Sequence, residues 1–218
     1  MSSRVVKIIL TVIILILLFI VGILSIREIC IRKEKDLNNS NPMSKEEVIN
    51  LLENPVSNYW IRTISEEMNG KSMPQEVLVK DGKFKVYMYS DAIQWIDTNT
   101  KEKLQIDNES KTAFLSHDGE AIKQTAYFND DSAKYKYLGE KVENNKKIIV
   151  VELDGKTIDR RITINKDTGI IEGIKEFEKS GLITTSIKNE NIEVKYDRVT
   201  DEDIAKPDLT GYTINEIE

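Results

Sequence analysis

The sequence predicts a mainly β (α+β) fold, in which a strongly curved antiparallel sheet or unclosed barrel is covered by one N-terminal helix and preceded by one transmembrane helix. Three observations predict it. Residues 8–26 form an uncharged apolar run, a capping box begins an amphipathic stretch at residue 44, and apolar and polar residues alternate between turn sequences from residue 59 onwards. Strands must therefore build most of the domain.

The apolar run of residues 8–26 predicts a membrane anchor. At ~1.5 Å per residue it spans roughly 28 Å, close to the ~30 Å hydrocarbon core of a bilayer. A retained anchor is favoured over a cleaved signal peptide because the run is longer than a usual signal core and no A-x-A-like site follows it. We assign residues 1–7 to an N-terminal flank, 27–43 to a juxtamembrane linker and 44–218 to one β-rich domain.

The charges around the anchor leave its orientation open. Arg4 and Lys7 precede the run, and four basic residues at positions 27, 32, 33 and 35 follow it, so the positive-inside rule alone favours a cytoplasmic domain. The short basic flank instead resembles a signal sequence, which directs the export of the domain behind it. We expect an extracytoplasmic domain at the cell membrane and keep the cytoplasmic alternative.

Composition excludes several classes of function. The net charge is −6 at pH 7, which disfavours nucleic acid as a partner. Cys30 is the single cysteine, so a disulfide framework and cysteine-rich zinc sites are excluded. Cys30 is the candidate for lipidation, although Arg27, Glu28 and Ile29 before it differ from a bacterial lipobox.

The helix is predicted from its start and stop signals. Ser44 and Glu47 form a capping box, with Ser44 as the N-cap residue. Pro55 ends the helix. One apolar face, which would cover a side of the sheet, contains Val48, Ile49, Leu51 and Leu52.

The strands are predicted from alternation and turns, with Asp81-Gly82 forming a type I′ hairpin turn. Residues 117–134 break the pattern and are either a loop or a short helix over 120–128. Because no helices lie between the strands, we expect antiparallel pairing throughout. The predicted strands are 59–68, 76–80, 83–90, 92–97, 103–106, 111–116, 136–142, 147–153, 160–164, 170–178, 182–188 and 191–196, with 212–217 closing an edge.

No motif for catalysis, metal binding or a cofactor is found. His117 is the only histidine and is interpreted as a solvated turn residue, because Ser116 and Asp118, adjacent in sequence, cannot form a triad with it. The acidic pairs and triplets lack the spacing of a calcium loop and are interpreted as solvated surface. They are Glu66-Glu67, Asp130-Asp131 and 201–203.

Aromatic residues concentrate in the first half of the strand region, together with Tyr127 and Phe128. Some would line the concave face of the sheet and contact an apolar chain or an anchor residue of a partner. The alternative is that they form the ordinary core. The candidate ligand- or partner-binding residues are Trp60, Tyr87, Tyr89, Trp95 and Phe114.

Three stretches resemble the outer-membrane lipoprotein carrier (LolA/LolB-like) family. Residues 90–97, with Trp95 and Asp97, are similar to its central D-G-x-x-x-W-x-Y-D tract. Residues 162–177 are similar to its x-I-D-x-x-T-G-x-P hairpin, and 207–212 to its closing P-x-G-Y. The resemblance implies an unclosed, curved antiparallel sheet with helices against its concave side, no catalytic residues, and an acyl chain or a protein as ligand.

The clostridial germination lipoprotein (GerS) group has this fold, and the resemblance implies a membrane-tethered protein that partners a cortex-modifying amidase. The sequence therefore predicts a membrane-anchored, extracytoplasmic binding module without catalytic activity. It would bind an envelope protein, such as a peptidoglycan amidase, or a lipid in the concave side of its sheet, and it would act in spore germination or cell-envelope assembly. The alternative is a single-pass regulatory or signalling protein with a cytoplasmic β-rich domain.

Overall fold

The structure, a computed structural model, describes residues 37–67, 75–88, 92–180 and 183–217. The chain divides into two compact units, and almost all of the described residues belong to the second, 39–218. The predicted anchor, its N-terminal flank and Cys30 lie outside the described residues. Within the described part of the chain, no helix is both long enough and apolar enough to cross a membrane.

Helix α1 (Lys45–Glu53) confirms the predicted capping box. The Ser44 hydroxyl oxygen accepts a hydrogen bond from the Glu47 amide at 3.2 Å, and the Glu47 carboxylate accepts one from the Ser44 amide at 2.7 Å. The two side chains thus satisfy backbone donors that the first turn would leave unpaired. The helix buries Val48 and Leu52 against the sheet.

Ser44→Ala is expected to destabilise the domain by about 1 kcal/mol, because the first turn of α1 loses its side-chain acceptor. Ser44→Asn keeps an acceptor at the cap and should stay within a few tenths of a kcal/mol of the wild type. Urea unfolding followed by circular dichroism measures both variants. Equal losses for the two substitutions would contradict a capping role.

Within the residues that the structure describes, twelve strands form one curved, unclosed sheet. A short 3₁₀ helix, Gln124–Phe128, is the only helical turn found within residues 117–134, all of which the structure describes, and the rest of that segment up to residue 133 is loop. The strands are β1 (Asn58–Glu67), β2 (Gln75–Lys80), β3 (Lys83–Met88), β4 (Ala92–Asp97), β5 (Glu102–Asp107), β6 (Thr112–Ser116), β7 (Lys134–Glu143), β8 (Lys146–Asp154), β9 (Ile158–Asn165), β10 (Ile170–Ser180), β11 (Ile183–Tyr196) and β12 (Thr213–Glu216).

The strand order is β12-β6-β5-β4-β3-β2-β1-β11-β10-β9-β8-β7. The prediction of antiparallel pairing throughout is wrong at one place, because β12 pairs with β6 in parallel. Parallel neighbours need a long crossover connection. Residues 197–212, which we call the tail segment, supply it by returning the chain from β11 to the far edge. The predicted strands 182–188 and 191–196 are one strand, β11.

The sheet has two faces with separate cores. On the helix face, Val48 and Leu52 of α1 and Phe128 of the 3₁₀ helix pack on strands β8, β9 and β10. The strand side chains that they cover are each at most 3 % exposed, and they are Ile149, Val151, Leu153, Ile162, Ile164, Ile171 and Ile174. On the other face, which we call the tail face, the tail segment covers β2 to β6 with Val199, Ile204, Leu209 and Tyr212.

The β2–β3 hairpin confirms the predicted type I′ turn. Both central residues have positive φ, 49° at Asp81 and 79° at Gly82. The alternation in β3 is also confirmed, since Phe84 and Val86 are buried on the helix face.

Candidate functional site

The five aromatic residues predicted to bind a ligand or partner do not form one site. The register places Trp60, Tyr87 and Trp95 on the tail face and Phe114 on the helix face. Tyr89 lies outside the described residues. Their binding role stays a prediction, but the faces they occupy decide which of them a partner can reach.

Trp95 is held in the core beneath the tail segment. It is 2 % exposed, and its indole N–H donates to the carbonyl oxygen of Ile204 at 2.9 Å. Trp60 packs beside Ile204 and Val199, with the Lys195 ammonium 4.5 Å from its ring centroid. Both tryptophans thus hold the tail segment against the sheet.

Tyr87 and Phe114 are the most exposed of the four candidates that the structure describes. Tyr87 is 38 % exposed on the tail face, with the Lys85 ammonium 5.6 Å from its ring centroid. Phe114 is 40 % exposed on the opposite face. Of the two, Phe114 lies in a concavity.

That concavity, which we call the end pocket, is an open depression of about 370 Å³ at the β5–β6–β12 end of the helix face. Phe114 and Ile217 supply its apolar wall, and Ile217 is 49 % exposed. The β5 and β6 strands, with the turn after β6, supply the polar wall. The polar lining residues are Lys103, Gln105, Ser116, His117 and Asp118.

Short-range contacts connect the polar side chains of the end pocket to one another and to Glu216 of β12. The Ser116 hydroxyl donates to the Asp118 carboxylate at 2.6 Å, and the Lys103 ammonium lies 3.9 Å from the same carboxylate. These two contacts, the hydroxyl first, lower the pKa of Asp118 from its ordinary value. The His117 imidazole contacts the Glu216 carboxylate of β12 at 3.3 Å.

This geometry differs from that of a hydrolytic triad. Ser116 donates directly to Asp118, whereas His117 is turned towards Glu216, so the hydroxyl has no contact with an imidazole base. Among the residues that the structure describes, no group of three or more His, Cys, Asp or Glu side chains is arranged to hold a metal ion. The end pocket offers an apolar wall and hydrogen-bonding groups, which suit recognition.

The acidic clusters have local structural contacts. Asp201 pairs with the Lys80 ammonium at 2.6 Å, and the Asp203 carboxylate accepts from the Thr200 amide at 2.9 Å. The Asp130 carboxylate accepts from the Ser132 amide at 2.9 Å. These carboxylates fix turns and the tail segment; the side chains of the 66–67 pair lie outside the described residues.

Sequence reasoning missed Ile217, Lys103 and Gln105 as site residues. They come together only because β12 lies beside β6 and β6 beside β5. A sequence signal does exist for Ile217, since it lies in the stretch 212–217 that is predicted to close an edge of the sheet.

No family model matches the sequence, and no curated protein matches it. Among solved structures, the chain is similar to the Pseudomonas aeruginosa MucA/MucB complex, at 10% identity and a TM-score of 0.44, over 73% of this chain and 60% of that one. It is similar to PNGF-II at 10% identity and a TM-score of 0.41, over 75% of this chain and 31% of that one.

A LolA superfamily protein from Nitrosomonas europaea is similar at 8% identity and a TM-score of 0.33, over 75% of this chain and 98% of that one. The chain thus spans less than two thirds of the length of the first two structures. TM-scores below 0.5 do not define a family for this chain, and the resemblance to lipoprotein carriers stays a prediction.

Proposed function

We propose that this chain is a non-catalytic binding domain that holds a protein partner at the end pocket. The observation that carries the proposal is the position of Phe114 and Ile217, two half-exposed apolar side chains that line the same depression among paired polar groups. An apolar anchor surrounded by hydrogen-bonding groups is the usual composition of a protein-binding hot spot.

A protein fits the end pocket better than an acyl chain does. The helix face next to α1 is filled by its own side chains, with Val48, Ile149 and Ile164 fully buried. An acyl chain in the end pocket would remove water from Lys103 and Asp118 in the polar wall. It would offer these two groups no hydrogen-bonding partners in exchange. A protein can bring both an apolar side chain and hydrogen-bonding groups.

A photo-crosslinking amino acid at position 114, in the full chain and in native membranes, tests the proposal. The matched control is position 142, because Val142 is 74 % exposed at the opposite edge of the sheet. We expect discrete protein adducts from position 114 and none of the same mass from position 142. Identical adducts from both positions would contradict it, and adducts to lipid alone would assign the lipid function.

The same pair of positions gives a quantitative expectation. Phe114→Ala should weaken binding of the crosslinked partner at least tenfold, because a central anchor residue is lost. Val142→Ala should change it less than twofold. Equal effects of the two substitutions would remove the end pocket from the interface.

We further propose that residues 8–26 hold the domain at the outer side of the cell membrane, where its partner is an envelope protein such as a peptidoglycan amidase. The anchor length and the resemblance to carriers and germination lipoproteins support this. A reporter active only outside the cytoplasm, fused after Glu218, tests it. A silent reporter would favour the cytoplasmic regulatory alternative, which the basic residues after the anchor support.

A further inference from the structure

We infer that β12 is a docking strand, to which an extended segment of the partner protein adds as a further strand of the sheet. The segment places one apolar side chain in the end pocket and a basic side chain against the carboxylate of Asp118 at its rim. This inference rests on the proposed function and specifies how the partner is held.

The outer side of β12 has backbone groups available for pairing. In the parallel ladder, the amide of Thr213 donates to the carbonyl of Lys111 at 2.9 Å, and the amide of Ile217 donates to the carbonyl of Leu115 at 2.8 Å. Because successive residues of a strand point their amides to opposite sides, the amides and carbonyls of Ile214 and Glu216 point away from β6. No strand of the described part of the chain pairs with that side.

The opposite edge of the sheet is protected against strand addition. Strand β7 carries Lys134, Lys136 and Lys141, and the register shifts at Gly139, whose φ is 143°. Edge lysines and bulges are the usual means by which a sheet prevents pairing with another chain. The β12 edge has no lysine and no bulge, and its Ile214 is 53 % exposed.

The side chains around β12 define the chemistry of the segment. On the helix face, Phe114 and Ile217 offer an apolar wall. The most exposed charged group beside that wall is the carboxylate of Asp118, at 73%, whereas Lys103 is 28% exposed. Glu216 pairs with Leu115 and lies on the tail face. Side chains two residues apart share a face of a strand. The partner segment therefore has an apolar and a basic residue two positions apart.

A second copy of this chain fits the edge less well. The chain has a net charge of −6, and β12 carries one acidic and no basic side chain, so edge-to-edge pairing of two copies would place negative charge on both strands without a positive partner. Like charges across a strand pair are destabilising. A segment with positive charge removes that repulsion, so the occupant is a different protein.

A displayed library of random ten-residue peptides, selected on the full-length chain in detergent, tests the inference. Ile214→Pro removes an outward amide and leaves the amides that face β6, a position where proline is tolerated in an edge strand. Ile214→Val is the matched control, because it keeps the amide. Asp118→Lys reverses the charge at the rim of the end pocket without changing the backbone donors of β12.

We expect selected peptides to carry an apolar and a basic residue two positions apart. They should bind Ile214→Pro at least tenfold more weakly, Ile214→Val within twofold, and Asp118→Lys at least threefold more weakly. Hydrogen exchange should slow in 213–217 on peptide binding, and not in β7. Absence of enriched peptides, or equal binding to Ile214→Pro and the wild type, would overturn the inference.

The test separates this inference from the proposed function. If a partner crosslinks to position 114 and binds the Ile214→Pro variant as tightly as the wild type, the proposed function is supported and strand addition is contradicted. Absence of any protein adduct at position 114 would contradict both the proposed function and strand addition.

Discussion

Gly169→Ala is expected to destabilise the domain by about 3–5 kcal/mol, a large part of the ~5–15 kcal/mol that stabilises a typical domain. Gly169 has a φ of +67° in the loop between β9 and β10, where a side chain is strained. An added Cβ would also be in hard contact with the carbonyl oxygen of Leu51 and lie 3.3 Å from the Cα of Pro55. Helix α1 would have to move away from the loop. Chemical unfolding of the purified domain measures the loss.

The matched control is Gly211→Ala. Gly211 has a φ of +82°, but no heavy atom lies within 4 Å of the position that its Cβ would take. Only the backbone strain remains, which costs about 1–2 kcal/mol. An equal decrease in the free energy of unfolding for the two variants would show that the contact between α1 and the β9–β10 loop is not tight.

Trp95→Ala is expected to cost about 3–5 kcal/mol, because it empties the buried site beneath the tail segment and removes the donor to Ile204. The tail segment should then become susceptible to proteolysis between residues 198 and 212. Trp95→Phe keeps most of the apolar area and should cost clearly less.

Phe114→Ala provides the comparison on the other face. Phe114 is 40% exposed, so its removal should cost about 1 kcal/mol or less while weakening partner binding. A Trp95→Ala domain that keeps full stability and loses binding would instead assign Trp95 to the interface. Trp95 and Phe114 are equal candidates on the sequence alone, and the two substitutions distinguish a core role from a binding role.

Local signals predicted the features that local chemistry determines. The capping box of Ser44 and Glu47 and the turn at Asp81-Gly82 depend on neighbours within a few residues, and both are present in the structure. The β11 strand was divided in the prediction because Asn189 and Glu190 interrupt its apolar pattern. Its pairing with β1 and β10 overrides that local composition.

The tail segment and the end pocket depend on contacts distant in sequence. Val199, Ile204 and Leu209 stand singly among charged residues, so no periodicity marks them as core. Phe114 was recognisable as an aromatic residue, but Ile217 becomes its neighbour only through the parallel pairing of β12 with β6. A rule based on successive strands predicts antiparallel pairing and therefore misses that edge.

The position of β1 also sets an order of events during synthesis. Its two neighbours are β2, which follows it directly, and β11, whose register pairs Tyr59 with Tyr196. The hairpins β2 to β6 and β7 to β11 can form as each emerges from the ribosome, whereas β1 keeps one open side until β11 has been translated. A nascent chain that stops before residue 183 therefore exposes one unpaired edge of β1 in the middle of the future sheet, a template for aggregation.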